Sequence, residues 1–167
     1  GADPPIIGEP KAARPDRQPV AEPYTEVTHP GRGPLKVKKK LDPSVKFHAS
    51  WLVSLSKAIN TAPSLYLSAG AIHGCVLCHQ QRPLVYMEDI GRHNAVDKIA
   101  GWMFLNKTPP QDKIFYTTGR LTTEMVIKTV QMQIPVLVSR SGFTAEAVDL
   151  ARRAQLTLIG RAKGKRF

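Results

Sequence analysis

Residues 114–159, IFYTTGRLTTEMVIKTVQMQIPVLVSRSGFTAEAVDLARRAQLTLI, decide the fold. Three short apolar runs, at 114–116, 136–138 and 156–159, alternate with two stretches whose apolar residues recur every three to four positions. The runs have strand length and the stretches have helical period. The first stretch, 122–131, turns Met125, Val126, Thr129 and Val130 inward. The second, 144–154, opens on Thr144, whose hydroxyl can cap the first turn. Strands separated by single helices pair in parallel through right-handed crossovers.

Upstream, residues 91–105 repeat the helical pattern, with Val96, Ile99, Trp102 and Met103 as the apolar stripe. Before it the period changes to two. Ala71, His73, Cys75 and Leu77 alternate with Ile72, Gly74, Val76 and Cys78, residues 79–83 turn the chain, and Leu84, Val85, Tyr86 and Met87 form a second strand. That is a hairpin, so the sheet is expected to be mixed. A further helix is expected from Asp42 as its cap and Pro43 at its first position, with Trp51, Leu52, Leu55 and Ile59 at helical spacing. Residues 1–43 carry nine prolines and read as an extended, Pro-rich arm ending in the basic run 36–40; residues 44–167 read as the folded domain.

The chain has 167 residues and a net charge of +11, a balance that attracts nucleic acid, phosphates or acidic surfaces. No apolar run approaches the length that crosses a bilayer, and the first residues lack the pattern of a signal peptide. Two cysteines are too few for a disulfide framework, so a reducing, cytoplasmic setting is expected. Cys75 and Cys78 lie three apart on a strand and should face opposite sides of the sheet, which prevents them from sharing a metal or a bridge. Both read as buried apolar cysteines, and His73 as a partly buried, satisfied histidine.

In open α/β sheets ligands gather at the carboxyl ends of the strands, where helix amino termini present N–H groups. Three turns reach that end here. The first contains Asp89, Gly91, Arg92 and His93; the second Thr118, Gly119 and Arg120; the third Ser139 and Arg140. Each has a glycine, which lets backbone approach a ligand, and an arginine, whose fork suits phosphate. His93, in the first turn of a helix, should be kept neutral by the helix dipole and could pass a proton or bond a ligand. The loop after the last strand, residues 160–166, is again basic and glycine-containing.

These segments resemble a known family. Residues 87–98, MEDIGRHNAVDK, are similar to the EDIGRHNAVDK segment of the formate dehydrogenase accessory sulfurtransferases. Residues 119–128, GRLTTEMVIK, resemble that family's GRASxEMVxK segment, and 134–141 and 156–160 match further blocks. Residues 69–73, AGAIH, are similar to its GGxH stretch with Ala69 in place of the first glycine. The resemblance covers roughly residues 35–167. It implies a cytidine-deaminase-like, three-layer α/β domain. Zinc is not expected, because residues 118–123 lack the cysteine pair that deaminases use there.

The resemblance further implies that sulfur is taken as a persulfide from a cysteine desulfurase. It is passed to the molybdenum, or tungsten, of a bis-molybdopterin guanine dinucleotide destined for a formate dehydrogenase catalytic subunit. That cofactor is cargo, and the final loop is implied to touch it. Lys163, Gly164 and Arg166 agree with the family there, while Arg161 and Lys165 replace an aromatic and a glycine and Ala162 lies between. The family's sulfur-carrying CxxC precedes the region matching Pro34 and Leu35, but residues 1–34 contain no cysteine. The chain is therefore expected to be either a piece of a longer protein or a relative that holds the cofactor without carrying sulfur, a binding or docking module. A homodimer is plausible by analogy. A nucleic-acid binder is suggested by charge alone, and an aromatic fraction of 7% offers no evident stacking platform.

Overall fold

Alternation along residues 73–79 sends Cys75 and Leu77 to one side of a sheet and Val76 and Cys78 to the other, and both sides are buried. The computed structural model describes residues 25–29, 32–37, 40–42, 45–61, 64–65, 68, 70 and 72–163. This strand is β3 (His73–His79), following β1 (Thr25–His29), β2 (Arg32–Val37) and helix α1 (Ala49–Thr61). After it come β4 (Arg82–Asp89), α2 (Arg92–Leu105), β5 (Lys113–Thr117), α3 (Thr123–Gln131), β6 (Val136–Ser139), α4 (Ala145–Ala154) and β7 (Thr157–Ile159).

Five strands form one sheet in the order β4-β3-β5-β6-β7. β3 runs antiparallel to both its neighbours, and β5, β6 and β7 are mutually parallel. The expected mixed sheet with a hairpin at one side is therefore present. The hairpin turn is tighter than expected, with only Gln80 and Gln81 between the strands, and β4 begins at Arg82. Pro83 sits in this strand where the register slips beside Cys78. β4 is an edge strand, and an edge tolerates a residue that cannot donate to the ladder.

Helices cover both faces. α1 buries Leu52, Leu55 and Ile59 against Val76, Ile114, Tyr116 and Val138 on one side. α2, α3 and α4 cover the other side, burying Val96, Ile99, Met125, Val126 and Leu150 around Phe115 and Leu137. Two parallel crossovers of one hand place α3 and α4 on the same face. α4 opens as expected, with Thr144 Oγ1 accepting from Ala147 N–H at 3.2 Å.

The first helix departs from expectation. Asp42 is exposed and lies outside α1, which begins only at Ala49, and Pro43 is outside the described residues. The reason is topological. Leu41 is packed in the core under the three helices, where its N–H donates to Ala154 O at 3.0 Å, whereas Leu52 is packed in the core on the opposite face. The segment between must cross the sheet, and Phe47 packs on the α1 side at its end. A helix from residue 43 would leave too little chain for that crossing.

The Pro-rich stretch is not wholly a bare extended arm. β1 and β2 pair antiparallel within it, as a two-stranded unit apart from the main sheet. A two-strand unit has only edges, which is where a proline such as Pro34 can sit. The first 24 residues lie outside the described residues. Among the described residues no helix is long and apolar enough to cross a membrane.

Candidate functional site

The parallel strands end at Thr117, Ser139 and Ile159, and the antiparallel pair brings His73 and Asp89 to the same rim. The loops leaving β5, β6 and β7 are tied together by their backbones. Arg140 N–H donates to Thr117 O at 3.1 Å, Leu121 N–H to Gly142 O at 3.0 Å and Thr144 N–H to Leu121 O at 3.0 Å. Arg161 N–H reaches Ser141 O at 2.8 Å, and Ala162 N–H reaches Ser139 O at 2.9 Å. Buried Ser139 completes the bracing: its hydroxyl donates to Gly119 O at 2.6 Å and accepts from Ser141 N–H at 2.9 Å.

These loops border an open cavity of about 330 Å³ lined by Thr118, Arg140, Ser141, Gly142, Arg161 and Lys163. Arg161 adopts φ +57, a left-handed conformation that costs a non-glycine residue about 1–2 kcal/mol. Such strain persists where the surroundings impose it, and functional sites are where it concentrates. Among the described residues no carboxylate forms an ion pair with Arg161 or Lys163. Positive charge on a braced, concave loop set is suited to an anion with several oxygens.

The first of the three expected turns is organised differently. Asp89 Oδ1 accepts from Gly91 N–H at 2.9 Å and from Asn94 Nδ2 at 3.1 Å, while Oδ2 pairs with Lys98 Nζ at 2.8 Å. Lys98 first, then these two hydrogen bonds, holds the Asp89 carboxyl down at about 2. His93 Nε2 lies 2.9 Å from Glu124 Oε2 in the first turn of α3. The His93 pKa is lowered, as expected, but the main cause is burial rather than the helix dipole; Glu124 opposes the shift and Arg92 and Lys128 add to it. The imidazole stays neutral, donates through Nε2 and leaves Nδ1 as an acceptor.

Gly119 stands between the two arrangements. A Cβ there would sit tightly against the Arg92 side chain at 3.3 Å and in ordinary contact with His73 Nδ1 at 3.6 Å, so both side chains lie against this glycine. His73 is accordingly not the satisfied histidine expected. Its Nδ1, Arg92 Nε, His93 Nδ1 and Thr122 Oγ1 are, among the described residues, the buried side-chain polar atoms without a hydrogen-bond partner. Buried groups of this kind are rare in folded proteins and need a reason.

Of the expected site residues, Thr118, Arg140, Arg161 and Lys163 meet in one cavity. Ser139 and Ala162 are buried and brace it from behind; Ala162 O also accepts from Tyr116 Oη at 3.5 Å. Arg120 is exposed and does not line the cavity, and Asp89, Gly91, Arg92 and His93 lie across Gly119 from it. Gly164, Lys165 and Arg166 lie outside the described residues. The expected opposition of Cys75 and Cys78 is present; burial pushes each thiol up to about 12. Phe143 was not anticipated. It follows Gly142 at the rim with half its surface exposed, and neither period, helical or strand, reaches a residue lodged between a turn and a cap.

Comparison with known proteins assigns the chain to a family. A sulfur carrier protein FdhD from Agrobacterium fabrum is 38% identical over 121 residues, covering 72% of this chain and 45% of that protein. One from Bacillus pumilus is 29% identical over 133 residues, covering 80% and 51%. A crystal structure from Desulfotalea psychrophila, described as that of a formate dehydrogenase accessory protein, superimposes with a TM-score of 0.69 at 33% identity, covering 77% of this chain and 54% of that one. The chain spans about half the length of the curated relatives it matches. The model of the FdhD/NarQ family matches residues 25–167, and the chain belongs to that family.

Proposed function

We propose that this chain is a cytoplasmic accessory protein for formate dehydrogenase that holds the bis-molybdopterin guanine dinucleotide cofactor as cargo during its sulfuration. The observation that carries the reading is the braced cavity in which Arg140, Arg161 and Lys163 converge at the carboxyl ends of parallel strands. Pyrophosphate and guanine are the parts of the cargo that such a cavity suits, through charge-assisted hydrogen bonds and backbone donors. The metal, molybdenum or tungsten, travels with the cargo. The strand order, with only the first of five strands reversed, supports a cytidine-deaminase-like reading of the domain.

Neither cysteine suits the sulfur-carrying role. A persulfide carrier needs an accessible thiolate, and both thiols are buried with pKa values near 12. This chain's share of a relay from a cysteine desulfurase is to hold and orient the acceptor, with the sulfur-bearing thiol supplied by another segment or chain. The formate dehydrogenase catalytic subunit receives the product. Asp89 and His93 keep the first turn of α2 in place beside the cargo. The match to a family of sulfur carrier proteins weighs against the second reading, a cofactor-holding or docking module, monomer or homodimer, that takes no part in sulfur transfer.

The test is a calorimetric titration of guanosine diphosphate at physiological salt, with adenosine diphosphate as control. Saturable binding that favours guanine and weakens about tenfold or more in Arg161→Ala or Lys163→Ala is expected. Absence of saturable binding to the 167-residue chain would overturn the cofactor-holding reading.

A further inference from the structure

We propose that the outer groove between α2 and α3 docks an acidic amphipathic helix of a partner protein. The groove lies on the helical layer and shares no lining residue with the cavity at the strand ends, so this inference stands apart from the reading of that cavity.

The groove has a volume of about 590 Å³. Val96, Ala100, Met103 and Phe104 of α2 form one wall, and Lys128 and Met132 at the end of α3 stand on the other. From Val96 to Phe104 α2 rises about 12 Å, which is the reach of helix anchors at i, i+3 or i+4, and i+7. Phe104 lines the groove with 83% of its surface exposed, and Leu105 beside it is 79% exposed. Aromatic and methionine side chains are what protein interfaces gather, methionine because it adapts to the shape laid against it.

Two residues sit where helix stability alone would not place them. Gly101 lies in the interior of α2, exposed, with nothing within 4 Å of where a Cβ would be. Alanine there would favour the helix. Gly101 shares its strip of the helix surface with Asp97 and Phe104, four residues before it and three after, both of which line the groove. A missing side chain on that strip lets a second backbone come close. Lys107, just past the end of α2, has φ +49, the left-handed stop where glycine is the default. It places a cation at the end of the groove instead.

Charge selects the occupant. Of the ionisable groups in the lining, Lys128 and Asp97 pair at 2.6 Å, and Lys107 has no carboxylate partner among the described residues. The chain as a whole carries +11. A second copy would bring like charge against like, which opposes association, whereas the same field draws in an acidic segment.

The experiment titrates two labelled synthetic peptides with the 167-residue chain and reads fluorescence anisotropy. Both are stapled into a helix, so that the cost of ordering does not mask binding. Both carry leucines at i, i+3, i+4 and i+7; glutamates flank the leucines in one and lysines in the other. The glutamate peptide should bind saturably, and about tenfold or more tighter than the lysine peptide. Phe104→Ala should weaken it about tenfold or more. Lys107→Glu should narrow the preference between the peptides by about threefold or more. Gly101→Leu should raise the urea midpoint, because leucine favours a helix, yet weaken the glutamate peptide about tenfold, because its side chain fills the space of close approach. Urea midpoints check that the other two variants stay folded. Equal binding of the two peptides, or binding of neither, would overturn the proposal, as would a glutamate peptide whose affinity is untouched by Phe104→Ala and Gly101→Leu. Sedimentation velocity covers the rival occupant: a wild-type dimer that Phe104→Ala dissociates would give this face to a second copy and overturn the acidic partner.

Discussion

The carboxyl rim of the sheet has two halves built on opposite principles. On the antiparallel half, around β4 and the start of α2, polar side chains engage one another: Asp89 pairs with Lys98, Lys128 with Asp97 at 2.6 Å, and neutral His93 donates to Glu124. On the parallel half, after β5, β6 and β7, the backbones of the loops bond to one another, and the cations Arg161 and Lys163 face a cavity with no acid paired to them among the described residues. The most recognisable segment of the sequence, residues 87–98, therefore pairs most of its charges within the protein while leaving Arg92 Nε and His93 Nδ1 buried without a partner, and the less distinctive turns line the cavity. A side chain whose charge is used up inside the protein contributes little to an external anion, because its field is already compensated.

This division is open to direct attack. Arg161→Gly should have the largest effect. It relieves the left-handed strain at φ +57 while adding unfolded-state freedom, so stability should stay within about 1 kcal/mol of wild type. Pyrophosphate affinity should nevertheless fall about tenfold or more, since a charge-assisted contact is lost. Arg92→Ala, on the other half, should change that affinity by less than about threefold. If the two variants lose affinity equally, the rim is one site and the division fails. Titration of pyrophosphate into both gives the answer.

Ser139→Ala should rank second, and acts on stability. The hydroxyl joins Gly119 O to Ser141 N–H, and its removal leaves a buried carbonyl and a part-buried N–H without their partner. A loss of about 1–3 kcal/mol is expected from urea unfolding midpoints. The opposite rim offers the contrasting case. Lys113 is buried there against Asp112, which also lies 3.1 Å from His79 Nε2. Lys113→Met keeps the packing and removes a desolvated charge, so a change within about 1 kcal/mol of either sign is expected, and unchanged pyrophosphate binding with it.

Much of this was legible from residue order. The strands and helices of 114–159 follow from their two periods, and so does the opposition of Cys75 and Cys78. The start of α1 was not legible, because local signals at Asp42 and Pro43 know nothing of the crossing that Leu41 and Phe47 impose. Nor was the splitting of the rim. The hairpin could be read, but not that β3 would lie between β4 and β5 and leave the first turn against Gly119 of the second, outside the lining of the cavity. Phe143 escaped because a single aromatic in a turn has no period, and its meaning comes from Gly160, seventeen residues later in the chain and in contact in space.

The smallest effect tests the antiparallel half by pH. The Asp89 carboxyl is held at about 2 in the folded chain against an ordinary value of 3.8, chiefly by Lys98. A depressed folded value means that the unfolded chain binds the proton more readily, so stability from this group is fully present above about pH 4 and is lost as pH falls towards 2. Asp89→Asn has no proton to take up and cannot pair with Lys98. The stability difference between wild type and Asp89→Asn should therefore be constant from pH 7 to about 5 and shrink as pH falls through 4 and 3. The part-exposed setting of the Asp89–Lys98 pair means that added salt should reduce the difference as well. Urea midpoints at pH 6, 4 and 3 suffice. A difference that does not change with pH would mean that the carboxylate charge contributes nothing, and that the first turn is held by its hydrogen bonds to Gly91 and Asn94 alone.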